Sequence, residues 1–411
     1  MVNFKTVFAL IVIAAICVLS LGSCSNPSGG GNPVDSGTPS EFFDGGGVAV
    51  NPYIIDSREK LEKMRDLVND DIETYSTAHY RQTAAIDLEN MGWEPIGPGS
   101  SPFLGVYDGG GYIISNMKIT GNIYAKGLFG YLSAENAVIR NVRISGVTIT
   151  GIYYAGGVVG MLYCGRVVNC RVSGGSITDT NDCGGIAGHI GGGAYNALVE
   201  NCYVSGLTIS STFSNSCFGG ISGVISGTVR NCYSSVVINS NGNSSYAGGV
   251  VGWNSIAGLV EYCYATGDIT ASGGFSNGGG VAGQNNSTVR NCIALNHIIS
   301  AGSGGNVGRV VGHLETNGIL KNNYTRGDSG MILKINNIPY SPVDDPDKKD
   351  GSAFVSIEVL NRQDTYDGGH DIWYGDHWNF NTVWEMGTDL PILQGFDGDT
   401  QNPVIINPIE P

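Results

Sequence analysis

Five cysteines recur at nearly constant spacing in the middle of the chain, and each ends a short word such as TVRNC, found at 228–232 and again at 288–292. Regularly placed thiolates could ligate a metal or, in an oxidising compartment, form disulfides. No Cys-x-x-Cys or Cys/His spacing supports zinc, and stacked rungs would hold the Cβ atoms ~4.8 Å apart, outside the ~3.5–4.5 Å of a disulfide. We therefore favour buried thiols that pack as small apolar groups. The five are Cys170, Cys202, Cys232, Cys263 and Cys292.

Carboxylates in the same region form no recognisable catalytic set. A glycoside hydrolase needs paired carboxylates across a cleft, and a polysaccharide lyase needs a Lys or Arg base beside acidic calcium ligands. The acids share no repeat position that would build a cluster, so we expect no catalytic residue, no metal site and no cofactor. They are Asp179, Asp182, Glu200, Glu261 and Asp268.

Three tyrosines, Tyr203, Tyr233 and Tyr264, each directly follow one of these cysteines. Their neighbours on both sides are predicted to face inward, so the rings should stack on one outer face of the protein. An exposed aromatic strip suits a glycan or another extended polymer, because rings offer apolar area with little entropy to lose. The alternative is that the rings only shield the sheet beneath them.

The elements that position these residues form a repeat of about 30 residues. Successive cysteines are separated by 32, 30, 31 and 29 residues, and a glycine-flanked apolar word precedes each. Each unit holds three short β-branched segments and no helix-length amphipathic stretch. The glycine words are KGLFG at 126, GGVVG at 156, GGIAG at 184, GGISG at 219, GGVVG at 248, GGVAG at 279 and GRVVG at 308.

Three strands per turn predict an all-β fold, a right-handed parallel β-helix of about seven coils. Its interior would be ladders of like side chains ~4.8 Å apart. A β-propeller fits less well, because a blade takes ~40 residues. The valine three residues before each cysteine should be one such ladder. The asparagine before the cysteine should occupy the left-handed backbone region at a bend.

The two ends of the helix should be capped, because an open coil exposes an edge. Residues 45–102 are predicted as an N-terminal cap with a helix from an Asp56/Glu59 capping box to Asn69, residues 103–327 as the repeats, and residues 328–411 as a C-terminal cap. The acidic word DDPDKKDG at 344–351 is interpreted as a solvated loop rather than a calcium site. An aromatic cluster should plug the C-terminal end, with a sugar platform as the alternative. It comprises Trp373, Tyr374, Trp378, Phe380 and Trp384.

The N-terminus resembles that of a bacterial lipoprotein. A short basic start and the apolar stretch 6–21 end in Leu21-Gly22-Ser23-Cys24, which is similar to a lipobox. Residues 1–23 would then be the signal peptide, Cys24 the lipidated residue, and 24–44 a Gly/Ser/Pro-rich tether. The alternative is an ordinary signal peptide. We expect a lipid-anchored protein of the bacterial envelope, on the outer membrane or cell surface.

Composition limits the partners. Of 411 residues, 64 are glycine and only 14% are charged, with a formal net charge of −15. No Lys/Arg cluster favours nucleic acid or an anionic membrane surface. We therefore expect membrane contact only through the N-terminal lipid.

The recurring unit, as in GGVVG at 156 followed by VVNC at 167, resembles the GLUG motif of bacterial surface proteins, and the resemblance covers roughly residues 80–396. It implies an extracellular or surface-anchored β-helix. Some proteins with this motif are IgA-cleaving zinc peptidases, whose chemistry needs HExxH, and none of the six histidines here begins that motif.

These observations predict a surface-displayed lipoprotein that binds a glycan or a host or matrix protein, without catalysis. A β-helix polysaccharide lyase or glycoside hydrolase is the alternative. A purely structural envelope protein is the second alternative.

Overall fold

The chain coils into a parallel β-solenoid built from three long sheets, here called A, B and C. The computed structural model describes residues 42–178, 180–192, 196–326, 331–353, 363–367, 378–388, 390–396, 401 and 403. Almost every strand pairs in parallel with the equivalent strand of the next coil. The all-β parallel solenoid predicted from the repeat is confirmed.

Sheet A holds the strands that lead into the glycine words. Its strands are β7 (Ala125–Lys126), β10 (Tyr154–Gly156), β13 (Asp182–Gly184), β17 (Cys217–Gly219), β21 (Tyr246–Gly248), β26 (Asn277–Gly279) and β31 (Asn306–Gly308).

Sheet B holds two strand series, one after the glycine words and one before the cysteines. In two early coils the series are halves of one long strand, β8 or β11. Its strands are β1 (Tyr53–Ile55), β2 (His79–Gln82), β4 (Val106–Asp108), β8 (Phe129–Arg140), β11 (Val159–Val168), β14 (Ala187–Ile190), β15 (Leu198–Glu200), β18 (Ser222–Ile225), β19 (Thr228–Arg230), β22 (Val251–Asn254), β23 (Leu259–Glu261), β27 (Ala282–Asn285), β28 (Thr288–Arg290), β32 (Val311–Leu314) and β33 (Ile319–Lys321).

Sheet C holds the strands that follow the cysteines in the chain. Inner coils have between three and five strand segments rather than a constant three. The glycine word is a corner between the strand of sheet A and the next strand of sheet B. The strands of sheet C are β3 (Ile86–Asp87), β5 (Ile113–Ser115), β6 (Lys118–Ile119), β9 (Arg143–Thr150), β12 (Arg171–Thr178), β16 (Tyr203–Ser211), β20 (Tyr233–Ser240), β24 (Tyr264–Ala265), β25 (Ile269–Ala271), β29 (Ile293–Ala294), β30 (Ile298–Ala301), β34 (Tyr324–Thr325), β35 (Ile332–Ile335), β36 (Ile338–Pro339) and β37 (Ser352–Ala353).

One buried ladder runs in register through ten coils rather than the expected seven. It passes through Val229 and the other valines that precede the cysteines, and it ends at Leu320. Its first three rungs are Tyr53, Tyr80 and Tyr107. The first two rungs lie within 45–102, so the solenoid begins inside the segment predicted as a cap. Tyrosine replaces valine there, which hides the period.

The asparagine before each ladder cysteine has the left-handed conformation predicted from its type. Asn169, Asn201, Asn231 and Asn291 have φ between +52° and +54°, and Tyr262 occupies the same position with φ +52°. Asparagine adopts this region at lower cost than most residues, because its short polar side chain can bond locally. The bend lets both the valine and the cysteine of one word face the core, where both are buried.

Each glycine of the word GGxxG is required by a different neighbour. A Cβ on Gly248 would lie 2.0 Å from the carbonyl oxygen of Val251, and one on Gly249 would lie 2.5 Å from the Cβ of Ala265. A Cβ on Gly252 would lie 2.5 Å from the backbone nitrogen of Phe218 in the preceding coil. The word is therefore a corner so tight that no side chain fits at any of the three positions.

The N-terminal helix predicted from the sequence is present as α1 (Arg58–Asn69), followed by the short α2 (Glu73–Ser76). Its N-cap is Ser57, whose hydroxyl accepts from the amide of Lys60 at 3.3 Å, rather than Asp56. Asp56 instead pairs with the Lys60 ammonium at 3.0 Å. The predicted apolar face is buried and consists of Leu61, Met64, Leu67 and Val68.

Residues 331–353 close the last coil, and the acidic word contributes to this closure although Asp344, Asp347 and Lys348 are exposed. The Lys349 carbonyl accepts the amides of Val310 and Val311 at 3.0 and 2.9 Å. Arg309 is buried, donates to the carbonyl of Asp350 at 2.8 Å and contacts Asp344. The word thus supplies the hydrogen bonds that an eleventh coil would have made.

Candidate binding groove

The three predicted ligand-binding tyrosines stack as expected but are not exposed. Ring centroids of Tyr203 and Tyr233, and of Tyr233 and Tyr264, lie 4.9 Å apart with interplanar angles of 5° and 3°. Their exposed fractions are only 2%, 2% and 1%. The expectation of an exposed strip is therefore wrong, because a segment near the C-terminus covers it.

The covering segment contains β38 (Trp384–Met386) and β39 (Pro391–Leu393), an antiparallel pair. Phe396 packs edge-on against Tyr203 at 4.9 Å, and the Tyr264 hydroxyl donates to the Pro391 carbonyl at 2.6 Å. Trp378 and Trp384 are buried beside Tyr264. This part of the aromatic cluster therefore lies along the outer face of sheet C and does not plug the end. Trp373 and Tyr374 lie outside the described residues.

The proposed lipidation site, Cys24, also lies outside the described residues. Within the part of the chain that the structure describes, no helix has both the length and the apolarity to cross a membrane.

The ladder cysteines are free, buried thiols. Each thiol donates to the carbonyl two residues earlier, at 3.1–3.3 Å. Burial raises the pKa of the thiols of Cys170, Cys202 and Cys263. Among the described residues, no group of three or more His, Cys, Asp or Glu side chains could hold a metal ion.

Two of the acids share a repeat position but do not form a cluster there. Glu200 and Glu261 occupy the same outward position two coils apart, with Arg230 between them in the register. Arg230 pairs with Glu200 at 2.7 Å, and Arg290 pairs with Glu261 at 2.6 Å. The position is thus a ladder of alternating charge, which neutralises the acids.

Two rows of outward side chains flank the glycine words and converge in a groove. Row A precedes the first word residue by two positions, and row B directly follows the final glycine, so the two members of a pair are seven residues apart. Seven rungs at ~4.8 Å give a length of about 29 Å. Row A is Tyr124, Tyr154, Asp182, Cys217, Tyr246, Asn277 and Asn306, and row B is Tyr131, Met161, His189, Val224, Trp253, Gln284 and His313.

Contacts between the rows show that the corner is concave. The rings of Tyr124 and Tyr131 lie 6.4 Å apart, and those of Tyr246 and Trp253 lie 6.2 Å apart. Farther along, the Asn277 amide donates to Gln284 at 3.5 Å. Outward side chains would diverge at a convex corner, so these contacts indicate a concave corner, which the side chains partly fill: Cys217, Val224, Asn277 and Gln284 are buried.

The groove changes character along its length. Its N-terminal end is aromatic: Tyr124 also contacts Tyr153 at 4.9 Å and Tyr154 at 5.2 Å. Its C-terminal end is polar: the Gln284 amide donates to Glu315 at 2.8 Å, and His313 lies 3.7 Å from the same carboxylate.

Burial shifts the pKa values of the titratable groups in the middle of the groove. Burial raises the pKa of the Asp182 carboxyl to about 6, although the Cys217 amide donates to it at 3.0 Å. Burial also lowers the pKa of His189 to about 4. The pKa of the Cys217 thiol is raised by burial and by Asp182. A nucleophilic cysteine needs a lowered pKa, so this trio lacks that property.

A cavity of about 340 Å³ opens at the aromatic end of the groove. Its walls come from the loop 92–99, from residues 123–125 and from row B. The lining residues are Gly92, Trp93, Glu94, Pro95, Pro98, Gly99, Ile123, Tyr124, Ala125 and Tyr131.

Neither the groove nor the cavity was predicted from the sequence. The signal was present in the glycine words, whose flanking residues include Tyr124, Tyr131, Tyr154, Tyr246 and Trp253. A flat strand would keep residues seven positions apart far from each other. Only a corner in the backbone brings their side chains together.

A family description of a known repeat, the GLUG motif, matches residues 243–270. The chain carries a GLUG motif. This GLUG coil runs from β21 through β24 and contains the groove pair Tyr246 and Trp253.

Two curated relatives match parts of the chain. A protein of Evansella cellulosilytica, provisionally named a Gly-rich membrane protein, is 34% identical over 114 residues, 27% of this chain and 13% of that protein. Halomucin of Haloquadratum walsbyi is 32% identical over 163 residues, 36% of this chain and 2% of halomucin. The chain thus spans a small fraction of either relative.

A solved structure shares the fold. A Bacteroides ovatus protein provisionally named an immunoglobulin A1 protease superposes with a TM-score of 0.59, covering 86% of this chain and 95% of its own at 21% identity. At this identity the likeness supports the solenoid fold alone.

Proposed function

We propose that this protein is a surface-displayed binding module that holds an extended polymer along the groove, without catalysis of its own. The observation that carries the proposal is that row A runs beside row B over seven rungs, with contacts between the paired side chains at three of them. A rigid solenoid fixes both rows before binding, so little conformational entropy is lost when a chain-like ligand settles between them.

Display at the surface is part of the proposal. The lipobox-like Leu21–Cys24 would supply a lipid anchor at Cys24, and the Gly-rich tether would hold the solenoid away from the membrane. Cys24→Ala should leave an uncleaved or a soluble species in place of the lipidated protein of the detergent phase. Unchanged partitioning would contradict the lipid anchor while leaving the groove proposal intact.

Catalysis is the alternative, since the protein from Bacteroides ovatus carries a protease name. The groove's strongest candidates for such chemistry are Asp182, His189 and Cys217. The raised pKa of the Cys217 thiol opposes a nucleophilic role. Cleavage of a bound polymer that is lost in Cys217→Ser would support the enzyme reading instead.

The binding proposal is tested with the full chain, extracted in detergent, as the parent. Its retention on immobilised polysaccharides, collagen and fibronectin is compared with that of the double variant Tyr246→Ala/Trp253→Ala. Tyr112→Ala, an exposed tyrosine outside the groove, is the matched control. We expect the parent and the control to be retained and the double variant to be released. Equal retention of all three would place the binding surface elsewhere.

A further inference from the structure

The cavity at the aromatic end of the groove has the size and walls of a ligand subsite. Its volume of about 340 Å³ lies within the ~300–1,000 Å³ range of small-molecule sites. The lining combines aromatic rings and prolines with one charged side chain, Glu94. Such a lining binds a compact ligand that has apolar faces and polar edges.

The walls of the cavity are fixed by contacts that do not involve a ligand. The Trp93 indole donates to the carbonyl of Leu128 at 3.2 Å, and the Arg65 guanidinium lies over the indole ring at 5.1 Å. The near-parallel rings of Tyr124 and Tyr131 differ in orientation by only 11°. Tyr124 is 43% exposed, so part of its side chain remains open to solvent although it packs against Tyr131 and Tyr153. A preformed site of this kind loses little entropy on binding.

The charged residues at and near the cavity restrict the class of ligand further. Glu94 is the only charged residue among those that line the cavity, and the ammonium of nearby Lys126 is fully buried and donates to the carbonyl of Ile123 at 2.9 Å. A carboxylate would repel anionic groups and accept hydrogen bonds from hydroxyls. The cavity therefore favours a neutral, hydroxyl-rich ring over an acidic one.

We propose that this cavity binds one sugar ring of a neutral polysaccharide, whose adjoining residues continue along the groove past Tyr154 and Trp253. This rests on the proposed function and names its ligand class. The ring's C–H face would pack on Tyr124, and its hydroxyls would donate to the Glu94 carboxylate.

The experiment measures the affinity of the detergent-extracted full chain for dextran, mannan, laminarin and xyloglucan, with polygalacturonate and heparin as acidic probes. Two variants address the cavity. Tyr124→Ala removes an exposed ring, and Gly92→Trp fills the space, since a Cβ on Gly92 meets no atom within 4 Å. Tyr112→Ala, 42% exposed, is the matched control.

We expect at least one neutral polysaccharide to bind, with affinity about tenfold weaker in Tyr124→Ala. Gly92→Trp should abolish binding with unchanged circular dichroism and Tm, and Tyr112→Ala should match the parent. The subsite is overturned if only acidic polymers bind or if Gly92→Trp binds normally. The protein could instead be retained on collagen or fibronectin, lose that retention in Tyr246→Ala/Trp253→Ala, and bind no polysaccharide. That result would support the groove proposal and contradict the sugar subsite.

Discussion

At the residue scale, single positions in this solenoid are set by backbone geometry as much as by packing. The position before each ladder cysteine has a positive φ in every inner coil. The residue there is asparagine in four coils and Tyr262 in the fifth. A β-carbon in that region costs roughly 1–2 kcal/mol for most residues.

The first prediction concerns Asn231, where φ is +52°. Asn231→Ala should lower the free energy of unfolding by about 1 kcal/mol, because alanine lacks asparagine's tolerance of this region. Asn231→Gly should cost less, because glycine populates positive φ freely. Urea denaturation of the three proteins checks the order, and an alanine variant as stable as the glycine variant would contradict it.

The second prediction concerns Asp182, whose pKa is raised to about 6 by burial. Its unfolded pKa is about 3.9, so both states are protonated below that pH and the residue has no effect. Between about pH 4 and 6 the unfolded chain ionises first, and stability falls as pH rises.

Asp182→Asn removes this fall. As pH rises from about 4 to 6, the Tm of the parent should fall relative to the Tm of the variant. Above about pH 6 the difference between the two Tm values should stay constant. The exposed Asp70→Asn serves as the control. A difference that grows toward low pH would mean that the folded-state pKa is lowered rather than raised.

At the element scale, the glycine corner is what makes the groove. It joins sheets A and B so closely that the backbone of one coil fills the space where a side chain of the next would lie. The same closeness brings rows A and B together.

The third prediction is that Gly252→Ala destabilises the protein by about 3 kcal/mol or more, because the new methyl group would overlap the backbone at Phe218. Gly92→Ala, with open space around its Cβ, should change stability by no more than about 0.5 kcal/mol. Thermal denaturation of both variants checks this prediction. Equal stability of Gly252→Ala and Gly92→Ala would mean that the corner has room for a methyl group.

The fourth prediction concerns the segment that covers sheet C. Tyr264→Phe leaves the Pro391 carbonyl without its 2.6 Å donor, at a cost of about 1–3 kcal/mol. The covering segment should then be cut faster by a protease, while the solenoid stays intact. Tyr112→Phe controls for the loss of a hydroxyl. Unchanged cleavage would show that the segment is held by its aromatic contacts alone.

At the scale of the whole molecule, the structural features that recur in every coil can be predicted from the sequence, and those that occur only once cannot. The valine and cysteine ladders, the left-handed asparagines and the apolar face of α1 all follow from local spacing or residue type. The first coils escape detection because Tyr53 and Tyr80 replace the usual valine, although the hydrogen-bond ladder continues unbroken.

The candidate sites depend on contacts between distant segments, which spacing does not encode. Tyr203 is correctly placed on an outer face, but Phe396 covers it from almost two hundred residues away. The groove needs the corner angle, which follows only from the close approach of Gly252 to the neighbouring coil.

The most direct test of the groove is oxidative footprinting of the full chain with and without the polymer that it retains most strongly. The account predicts that the polymer protects Tyr124, Tyr246 and Trp253 from hydroxyl radicals. Phe275, 70% exposed and outside the two rows, should be oxidised equally in both samples. Protection of Phe275 alone, or no protection at the three groove residues, would contradict the account.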